Sequence, residues 1–336
     1  MLLALLAVVI PWLTSRSGDP NTVVLYCAHD SIFADQILRL FKERTGIRVR
    51  VRYDEEASKS LGLTSLLIAE RQQPRCDVFW NNQSLGTIRL KAAGILTPFH
   101  GPGVDRIPAA FRDSDACWTG FAARMRVYGV NTELLEPTEE AVAGKLSGSS
   151  LADVAIAVPL YGTTLSHYSV ICGERGLNGL QQWHRSLHQR GIREARGNAA
   201  VRDLVAEGAC AVGFTDTDDV FAAIDQGRPV AMVPVRVGTG QTIVIPNTAA
   251  LIVGGPHPEA GRKLMEFLLS EEVELLLAQS ASRQIPLGPV DRSLLSPEVA
   301  RLLELASAGV SLDAAAQHQP AVLEWLSAEY LGYQQP

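Results

Sequence analysis

Cysteine is scarce in this 336-residue sequence, and its five copies form no recognisable pattern. They stand at positions 27, 76, 117, 172 and 210, an odd number without any CxxC spacing. This arrangement argues against a full disulfide framework and against a structural zinc site. Cys27 and Cys76 each lie in or just before a predicted strand, so one bridge between them stays open, although we expect buried free thiols.

The motifs of several enzyme classes are missing as well. No GxGxxG opens a helix after a strand, and the patterns GxxxxGK[ST], HExxH and GxSxG do not occur. Their absence argues against dinucleotide-binding enzymes, P-loop NTPases, HExxH metalloproteases and α/β-hydrolases. The formal net charge of -6 argues against nucleic acid as a partner, because phosphate backbones bind clustered Lys and Arg.

One histidine pair has a spacing that suits a metal ion. His184 and His188 stand four residues apart on a predicted helix, which places both side chains on one face. Because the sequence offers no third ligand nearby, we interpret the pair as part of an exposed helix face.

An apolar run, MLLALLAVVIPWL, opens the sequence. As a helix it spans roughly 20 Å, which is shorter than the hydrocarbon layer of a membrane. Its length fits the hydrophobic core of a signal peptide. We therefore predict that residues 1–19 are a signal peptide or an N-terminal anchor, and that the protein works in the periplasm or elsewhere outside the cytoplasm.

The stretch from Val23 to Tyr53 has the pattern of a strand–helix–strand unit. An apolar run at 23–28 fits a buried parallel strand, and a helix with one apolar face follows a polar corner. Gly46 ends that helix, and residues 47–53 alternate apolar residues with Arg, as a second strand does. An exported chain that begins with one right-handed βαβ unit is typical of an α/β lobe that binds a solute.

A second βα-rich block begins near residue 154. Its predicted helices lie at 162–173, 179–191, 198–207 and 220–227. Two extended stretches, at 121–131 and 241–252, join the two blocks, and two antiparallel crossings between lobes make a hinge. The sequence therefore predicts a two-lobed α/β fold with a two-stranded hinge and a ligand cleft between the lobes.

The same pattern predicts how the chain divides between the lobes. Residues 20–123 plus 244–275 are expected to form the first lobe. Residues 124–243 plus 276–336 are expected to form the second lobe, with a tail that either lobe could accommodate.

Polar residues stand where predicted strands turn into helices, which is where α/β sheets bind their ligands. The candidate ligand-binding residues at these corners, together with one Arg on the first crossing, are Asp30, Glu56, Asn82, Arg124, Gly162, Thr163, Thr164, Asn198, Asp216, Thr217 and Asp218. Each corner residue alone fits a helix N-cap. Three Asp within positions 216–219, however, exceed what capping needs. Gly162-Thr163-Thr164 fits an oxyanion cradle, because Gly allows close approach and two hydroxyls can donate.

Three segments carry a resemblance to a known family. They are VVLYCAHDSIFADQILRLFKERTGIRVRVRYDEEASKSLGLTSLLIAERQQPRCDVFWNNQSLGTIRLKAAGILTPF, GNAAVRDLVAEGACAVGFTDTDDVFAAIDQG and IPNTAALIVGGPHPEAGRKLMEFLLSEEVE. Over about residues 22 to 290 the chain resembles the iron-type solute-binding proteins of bacterial ABC transporters. The resemblance implies a periplasmic binding protein type II fold, hinge closure over a solute and delivery to an ABC permease with its ATPase. We further expect a monomer that is not an enzyme and has no resident cofactor.

The resemblance does not carry over the ferric ligands of the family. Ferric-binding members use a His, a Glu, two adjacent Tyr and a bound anion. These protein ligands fall here on Asp30, Asn82 and Thr217-Asp218, so all four differ. The family's anion loop falls on Gly162-Thr163-Thr164 and an anion-contacting Asn on Asn198, so this half of the site is kept.

The ligand therefore stays open among several classes. Asp30, Asp216 and Asp218 are hard oxygen donors that suit Fe³⁺ or another metal, with phosphate or carbonate completing its coordination. The same carboxylates could instead pair with the ammonium groups of a polyamine or an aminophosphonate. The Thr loop, Asn198 and Arg124 would suit a phosphorylated compound. A sensor subunit on the same scaffold is a further alternative. An enzyme is not favoured, because no His falls in the Thr or Asp corners.

Overall fold

The computed structural model describes residues 19, 21–54, 61–310 and 312–332. The predicted leader at 1–19 lies outside the described residues apart from Asp19, and Glu56 lies outside them as well. Within the described part of the chain, no helix is both long and apolar enough to cross a membrane.

The first half of the chain begins with the predicted strand–helix–strand unit and ends on a long strand. Its elements are β1 (Thr22–Cys27), α1 (Ser31–Thr45), β2 (Arg48–Tyr53), α2 (Leu61–Ala69), β3 (Val78–Asn81), α3 (Leu85–Ala92), β4 (Leu96–Thr97), α4 (Pro102–Asp105) and β5 (Thr119–Asn131).

The second half alternates strands and helices and then becomes helical. Its elements are α5 (Glu139–Ser147), β6 (Val154–Ala157), α6 (Gly162–Gln189), β7 (Arg193–Ala195), α7 (Asn198–Ala206), β8 (Val212–Asp216), α8 (Thr217–Asp225), β9 (Val230–Pro234), β10 (Arg236–Val237), β11 (Gln241–Thr242), β12 (Val244–Ile252), α9 (Pro258–Leu268), α10 (Glu271–Gln279), α11 (Pro297–Ala306) and α12 (Leu312–Gly332).

Two parallel sheets meet at a pair of long antiparallel strands. The strand order is β2-β1-β3-β12-β5-β8-β6-β7, with β4 beside β12 and β9 beside β5. In the first lobe β1 pairs in parallel with β2 and β3, and in the second lobe β6 pairs in parallel with β7 and β8. The pair β5–β12 lies between the lobes, as the predicted hinge requires.

Each lobe has its own apolar core. In the first lobe Val23, Phe41 and Trp80 pack with residues of α9 and α10. In the second lobe Ile156 and Phe214 pack with residues of α6 and α12. Two cores of this size are what a chain of this length is expected to build.

The hinge carries a local irregularity. The register of β5 against β12 shifts between Pro246 and Asn247, and Ala122 on the facing strand has φ 41°. Asn247 accommodates the bulge, because its side-chain amide donates to the Ala122 carbonyl and, over 2.7 Å, to Oε1 of Gln284. A bulge with positive φ at the crossing is where antiparallel strands bend most readily.

The two helices expected at 162–173 and 179–191 are present: they are the two helical segments of α6, separated by a kink at Gly176, where φ 68° and ψ 169° are not helical. A glycine adopts this conformation without a steric penalty, so the chain turns between the two segments. One helix differs from the sequence prediction. The helix expected at 220–227 begins at Thr217, so Asp218 and Asp219 lie in its first turn rather than in a loop.

The expected boundary between the lobes lies within one helix. The boundary at 275/276 falls inside α10, whose Val273 and Leu277 both pack in the first core.

The five cysteines are free thiols; four are buried and Cys117 is partly exposed. The bridge considered between Cys27 and Cys76 is therefore not formed.

The pair His184–His188 is not an exposed helix face, because α12 covers it. His184 is only 3% exposed, and its Nδ1 lies 3.0 Å from the Tyr168 hydroxyl. The rings of Trp325 and Tyr330 from α12 pack against it at 5.3 and 6.2 Å between centroids. Burial, together with the neighbouring His188, lowers the pKa of His184 to about 4.

This buried imidazole is expected to make the protein sensitive to acid. Between the unfolded pKa of about 6.5 and the folded pKa of about 4, the unfolded chain binds one more proton at His184. Stability is therefore fully present above pH 6.5 and falls as the pH drops toward 4, by an amount on the order of 3 kcal/mol. Urea unfolding of the wild type and of His184→Gln across this range measures the effect. A wild-type slope unchanged in His184→Gln would contradict it.

Candidate functional site

A cavity of about 270 Å³ lies between the two lobes and collects most of the predicted site residues. The predicted residues that line it are Asp30, Asn82, Arg124, Gly162, Thr163, Thr164, Asn198, Asp216 and Asp218. They come from corners more than 180 residues apart in the sequence, counting from 30 to 218. The sheet topology brings them together, since the carboxyl ends of the parallel strands of both lobes face this cavity.

Helix capping does not explain the acidic corners. Asp30 and Asp216 are the N-cap residues of α1 and α8, yet neither side chain makes a capping hydrogen bond. A Ser, Thr or Asp chosen for capping would accept from the second or third helical N–H. The carboxylates at 30 and 216 thus line the cavity without capping the helices that follow them.

Two predicted residues do not line the described cavity. Thr217 is fully buried, and its hydroxyl oxygen accepts from the backbone N–H of Met125 over 3.3 Å. The Thr217 side chain therefore contacts β5 instead of lining the cleft. This contact holds the start of α8 against β5. Glu56 lies outside the described residues.

Asp216 is held by a buried ion pair. Arg126, the cross-strand partner of Asp216 on β5, donates from Nη1 to Oδ1 over 2.8 Å. Arg126 is 0% exposed and Asp216 is 1% exposed, so water does not screen this pair. Such a pair in a core is stable only when further polar groups surround it.

Thr163 and Asn198 supply those polar groups. The Thr163 hydroxyl donates to Oδ2 of Asp216 over 2.6 Å, and the Asn198 amide donates to the same oxygen over 2.9 Å. Asn198 also donates to the Thr163 hydroxyl oxygen over 2.8 Å, and Thr164 donates to Oδ1 of Asn198 over 3.2 Å. Of the two hydroxyls predicted for an anion, that of Thr163 therefore positions Asp216 and that of Thr164 positions Asn198. The backbone N–H groups at the start of α6 have no intrahelical partner and can still donate to an anion.

Arg124 holds the second acidic side chain. Its Nη1 lies 3.4 Å from Oδ2 of Asp218, and its Nε and Nη2 have no hydrogen-bond partner among the described residues although the side chain is nearly buried. Burial alone would lower the pKa of Arg124, but Asp218, Asp216 and Asp30 raise it. Arg124 therefore stays charged and keeps donors available at the edge of the cavity.

Asp218 and Asp219 are crowded by like charge. Burial, followed by the charges of Asp216 and Asp30, raises the pKa of Asp218 even though Arg124 opposes the shift. The Asp218 side chain keeps 18% of its surface exposed, so water moderates this effect. Burial, Asp218 and Asp216 raise the pKa of Asp219 to about 8. A cation placed among these carboxylates would relieve the repulsion.

The three aspartates are close enough to share one ion. Carboxylate oxygens of Asp216, Asp218 and Asp219 all lie within 4.8 Å of one another. Asp30 lines the same cavity from the first lobe. Hard, highly charged cations prefer such oxygen ligands.

Several lining residues were not predicted from the sequence. They are Tyr161, Arg196 and Arg202 on the cavity wall and Arg126 behind it. A signal for Arg126 was present: Arg124 and Arg126 stand two apart in an otherwise apolar strand, so both point to one face. A strand buried on both faces cannot hold two Arg without carboxylate partners.

The architecture defines the class of protein: two α/β lobes, two crossing strands and a polar cleft between the lobes make a solute-binding protein. A family model described as bacterial extracellular solute-binding protein matches residues 30–274. The chain belongs to that family.

Relatives agree with this assignment. Iron uptake protein A1 of Synechocystis is 23% identical over 310 residues, covering 88% of this chain and 83% of the relative. Iron-bound HitA from Pseudomonas aeruginosa has the same fold, with a TM-score of 0.77 and 19% identity over 91% of this chain and 99% of that one. AfuA from Actinobacillus pleuropneumoniae with bound fructose-6-phosphate has a TM-score of 0.74 and 16% identity over 91% and 98% of the two chains.

Removing one partner of the buried ion pair is expected to destabilise the second lobe. Arg126→Met should lower the free energy of unfolding by about 3–5 kcal/mol, because Asp216 would remain buried without a counter-charge. The double variant Arg126→Met/Asp216→Asn should recover part of that loss. Urea denaturation measures both changes.

A surface ion pair provides the control for this prediction. Arg44→Met breaks the pair with Glu272, in which the two side chains are 52% and 36% exposed, and should cost less than about 1 kcal/mol. Equal costs for Arg126→Met and Arg44→Met would show that the buried network contributes nothing particular.

Proposed function

We propose that this protein captures ferric iron together with a small anion in the cleft and delivers it to an ABC permease outside the cytoplasm. The cluster of carboxylates at the cleft carries the proposal: Asp216, Asp218 and Asp219 on the second lobe with Asp30 on the first. The similarity to an iron uptake protein and to an iron-bound structure supports the choice of metal.

The carboxylates divide into two roles. Asp216 is already neutralised by Arg126 and orders the wall of the cleft. Asp218 and Asp219 lie in the first turn of α8, crowd each other and are the second lobe's proposed metal ligands. Asp30 adds a ligand from the first lobe, so a bound ion would contact both lobes.

The positive groups suit the anion. Among the described residues Nε and Nη2 of Arg124 have no hydrogen-bond partner. The first residues of α6, Gly162 to Thr164, line the same cavity, and the N-terminus of a helix is a site where backbone N–H groups can donate to an anion. A carbonate or phosphate bound there would complete the coordination of the metal. Such an anion would supply hard oxygen atoms in place of the phenolates that ferric-binding members use.

Cleft closure would follow from the position of the proposed metal ligands, which lie on both lobes. A ligand that contacts Asp30 and the second-lobe aspartates at once binds the closed form more strongly than the open form, and only this difference shifts the population. The bulged crossing at Ala122 and Asn247 is the proposed hinge.

Asp218→Asn/Asp219→Asn is expected to weaken ferric binding about 100-fold or more, because two anionic oxygen ligands are lost. A competition titration against ferric citrate measures the affinity. This pair is a sharper choice than a variant of Asp216, whose loss would also disturb the buried network. Asp225→Asn is the control, since it removes a carboxylate from the far end of the same helix.

The result distinguishes the metal from an organic solute. Unchanged ferric affinity in Asp218→Asn/Asp219→Asn would refute the metal assignment. A wild-type protein that binds fructose-6-phosphate but no ferric iron would make it an organic-solute carrier, as the sugar-phosphate complex of AfuA illustrates for this fold.

A further inference from the structure

A buried carboxylate outside the cleft, that of Glu274 in α10, collects four hydrogen bonds at the hinge. Glu274 is 0% exposed and does not line the cleft. Its Oε1 accepts from the backbone N–H groups of Ala122 over 2.9 Å and of Leu287 over 2.7 Å. Its Oε2 accepts from the Gly288 N–H over 3.0 Å and from Nη1 of Arg106 over 2.6 Å. One side chain therefore fixes the backbone of two separate segments.

Arg106 ties this carboxylate to the first lobe. The Arg106 side chain is 16% exposed, and it also donates to the carbonyls of Leu269 over 3.3 Å and Pro289 over 2.6 Å. A buried carboxylate with a guanidinium partner and several N–H donors is costly to displace. Glu274 is thus a rigid support on the first-lobe side of the hinge.

Both segments that Glu274 holds connect the two lobes. Ala122 belongs to the crossing strand β5, and residues 284–288 lead from α10 toward α11 as a third connection. Ile285 of this connection exchanges two backbone hydrogen bonds of 2.7 Å with Ala123, and its side chain packs in one cluster with Phe221 of the second lobe. Movement of the lobes must therefore bend the chain next to Glu274.

Ala122 has a strained backbone at this position. Its φ of 41° lies in the left-handed region, which a residue with a Cβ seldom adopts. Its N–H donates to Glu274, and its carbonyl accepts from the side-chain amide of Asn247. Strain of this kind persists only where the surrounding structure imposes it, and it is concentrated at ligand clamps and switch regions.

We propose that Glu274 is a positioning residue for the hinge, which sets the balance between two lobe arrangements by holding Ala122 in its left-handed conformation. In the arrangement described here, the bond from Ala122 to Glu274 offsets the backbone strain. In the other arrangement Ala122 gives up this bond and returns to negative φ. The inference rests on the proposed hinge closure and supplies the element with two discrete states that closure needs.

Glu274→Met is expected to shift the balance away from the described arrangement. It removes the acceptor for the Ala122 N–H, and one hydrogen bond to a charged acceptor corresponds to about a tenfold change in the ratio of the two arrangements. The bonds to Leu287 and Gly288 are lost in both arrangements, so they lower stability without changing this ratio. Glu274→Gln keeps one oxygen acceptor and should give a smaller shift in the same direction.

The readout is the distance between the lobes in the ligand-free, full-length protein, measured by double electron–electron resonance. Spin labels are attached at Glu43→Cys on α1 and Arg185→Cys on α6, both exposed positions. The background is Cys117→Ser, because the other four cysteines are buried. Glu266→Met is the matched control, since this carboxylate on α9 binds the Gly103 N–H rather than a connection between the lobes, and it should not change the distances.

Ala122→Gly tests the strain itself. Gly adopts positive φ without a steric penalty, so adding this change to Glu274→Met should restore the described arrangement about fivefold. Ala123→Gly makes the same substitution one residue later, at a position without positive φ, and should restore nothing.

Two results would overturn the proposal. One is a distance distribution that stays as in the wild type in Glu274→Gln and in Glu274→Met, with thermal melting showing that at least one of them folds. The other is equal restoration by Ala122→Gly and Ala123→Gly. Because no ligand is present, these results do not depend on whether the cleft binds ferric iron, and a failure of the metal assignment remains a separate finding.

Discussion

Two arginines on one buried strand determine how the second lobe is organised. β5 crosses between the lobes and carries Arg124 and Arg126 on the same face, where neither can reach bulk water freely. Each is paired with an aspartate from the corner between β8 and α8. The cost of burying two guanidinium groups is thus offset by carboxylates, and the polar wall of the cleft forms as a consequence.

This pairing changes how the acidic corner is understood. Three aspartates within four residues first suggest a simple cation site. The structure instead gives these neighbours different environments: Asp216 is paired with Arg126 in the buried network, while the pKa values of Asp218 and Asp219 are raised by burial and by like charge. The cleft is therefore mixed in sign, with carboxylates beside an arginine and a helix N-terminus. The proposed cargo, a cation together with an anion, follows from this mixture of charges.

The sequence predicted the fold because its signals are local. The strand–helix–strand pattern of residues 23–53 and the polar corners after each strand depend on neighbours within a few residues, and the structure confirms the two-lobed α/β architecture. Contacts between distant segments cannot be predicted from such local patterns. His184 is buried by Trp325, some 140 residues later, and Arg126 acquires its role from Asp216, 90 residues away. The break predicted between residues 173 and 179 is a local signal as well, and the structure places it at Gly176.

The central claim is that the cleft holds a metal with an anion, and the most direct measurement is the content of the natively loaded protein. Native mass spectrometry with elemental analysis, on protein isolated from the periplasm without chelators, reports both partners at once. We expect one iron atom per chain together with the mass of a small anion such as carbonate or phosphate. A metal-free protein that carries an organic compound of defined mass would contradict the account.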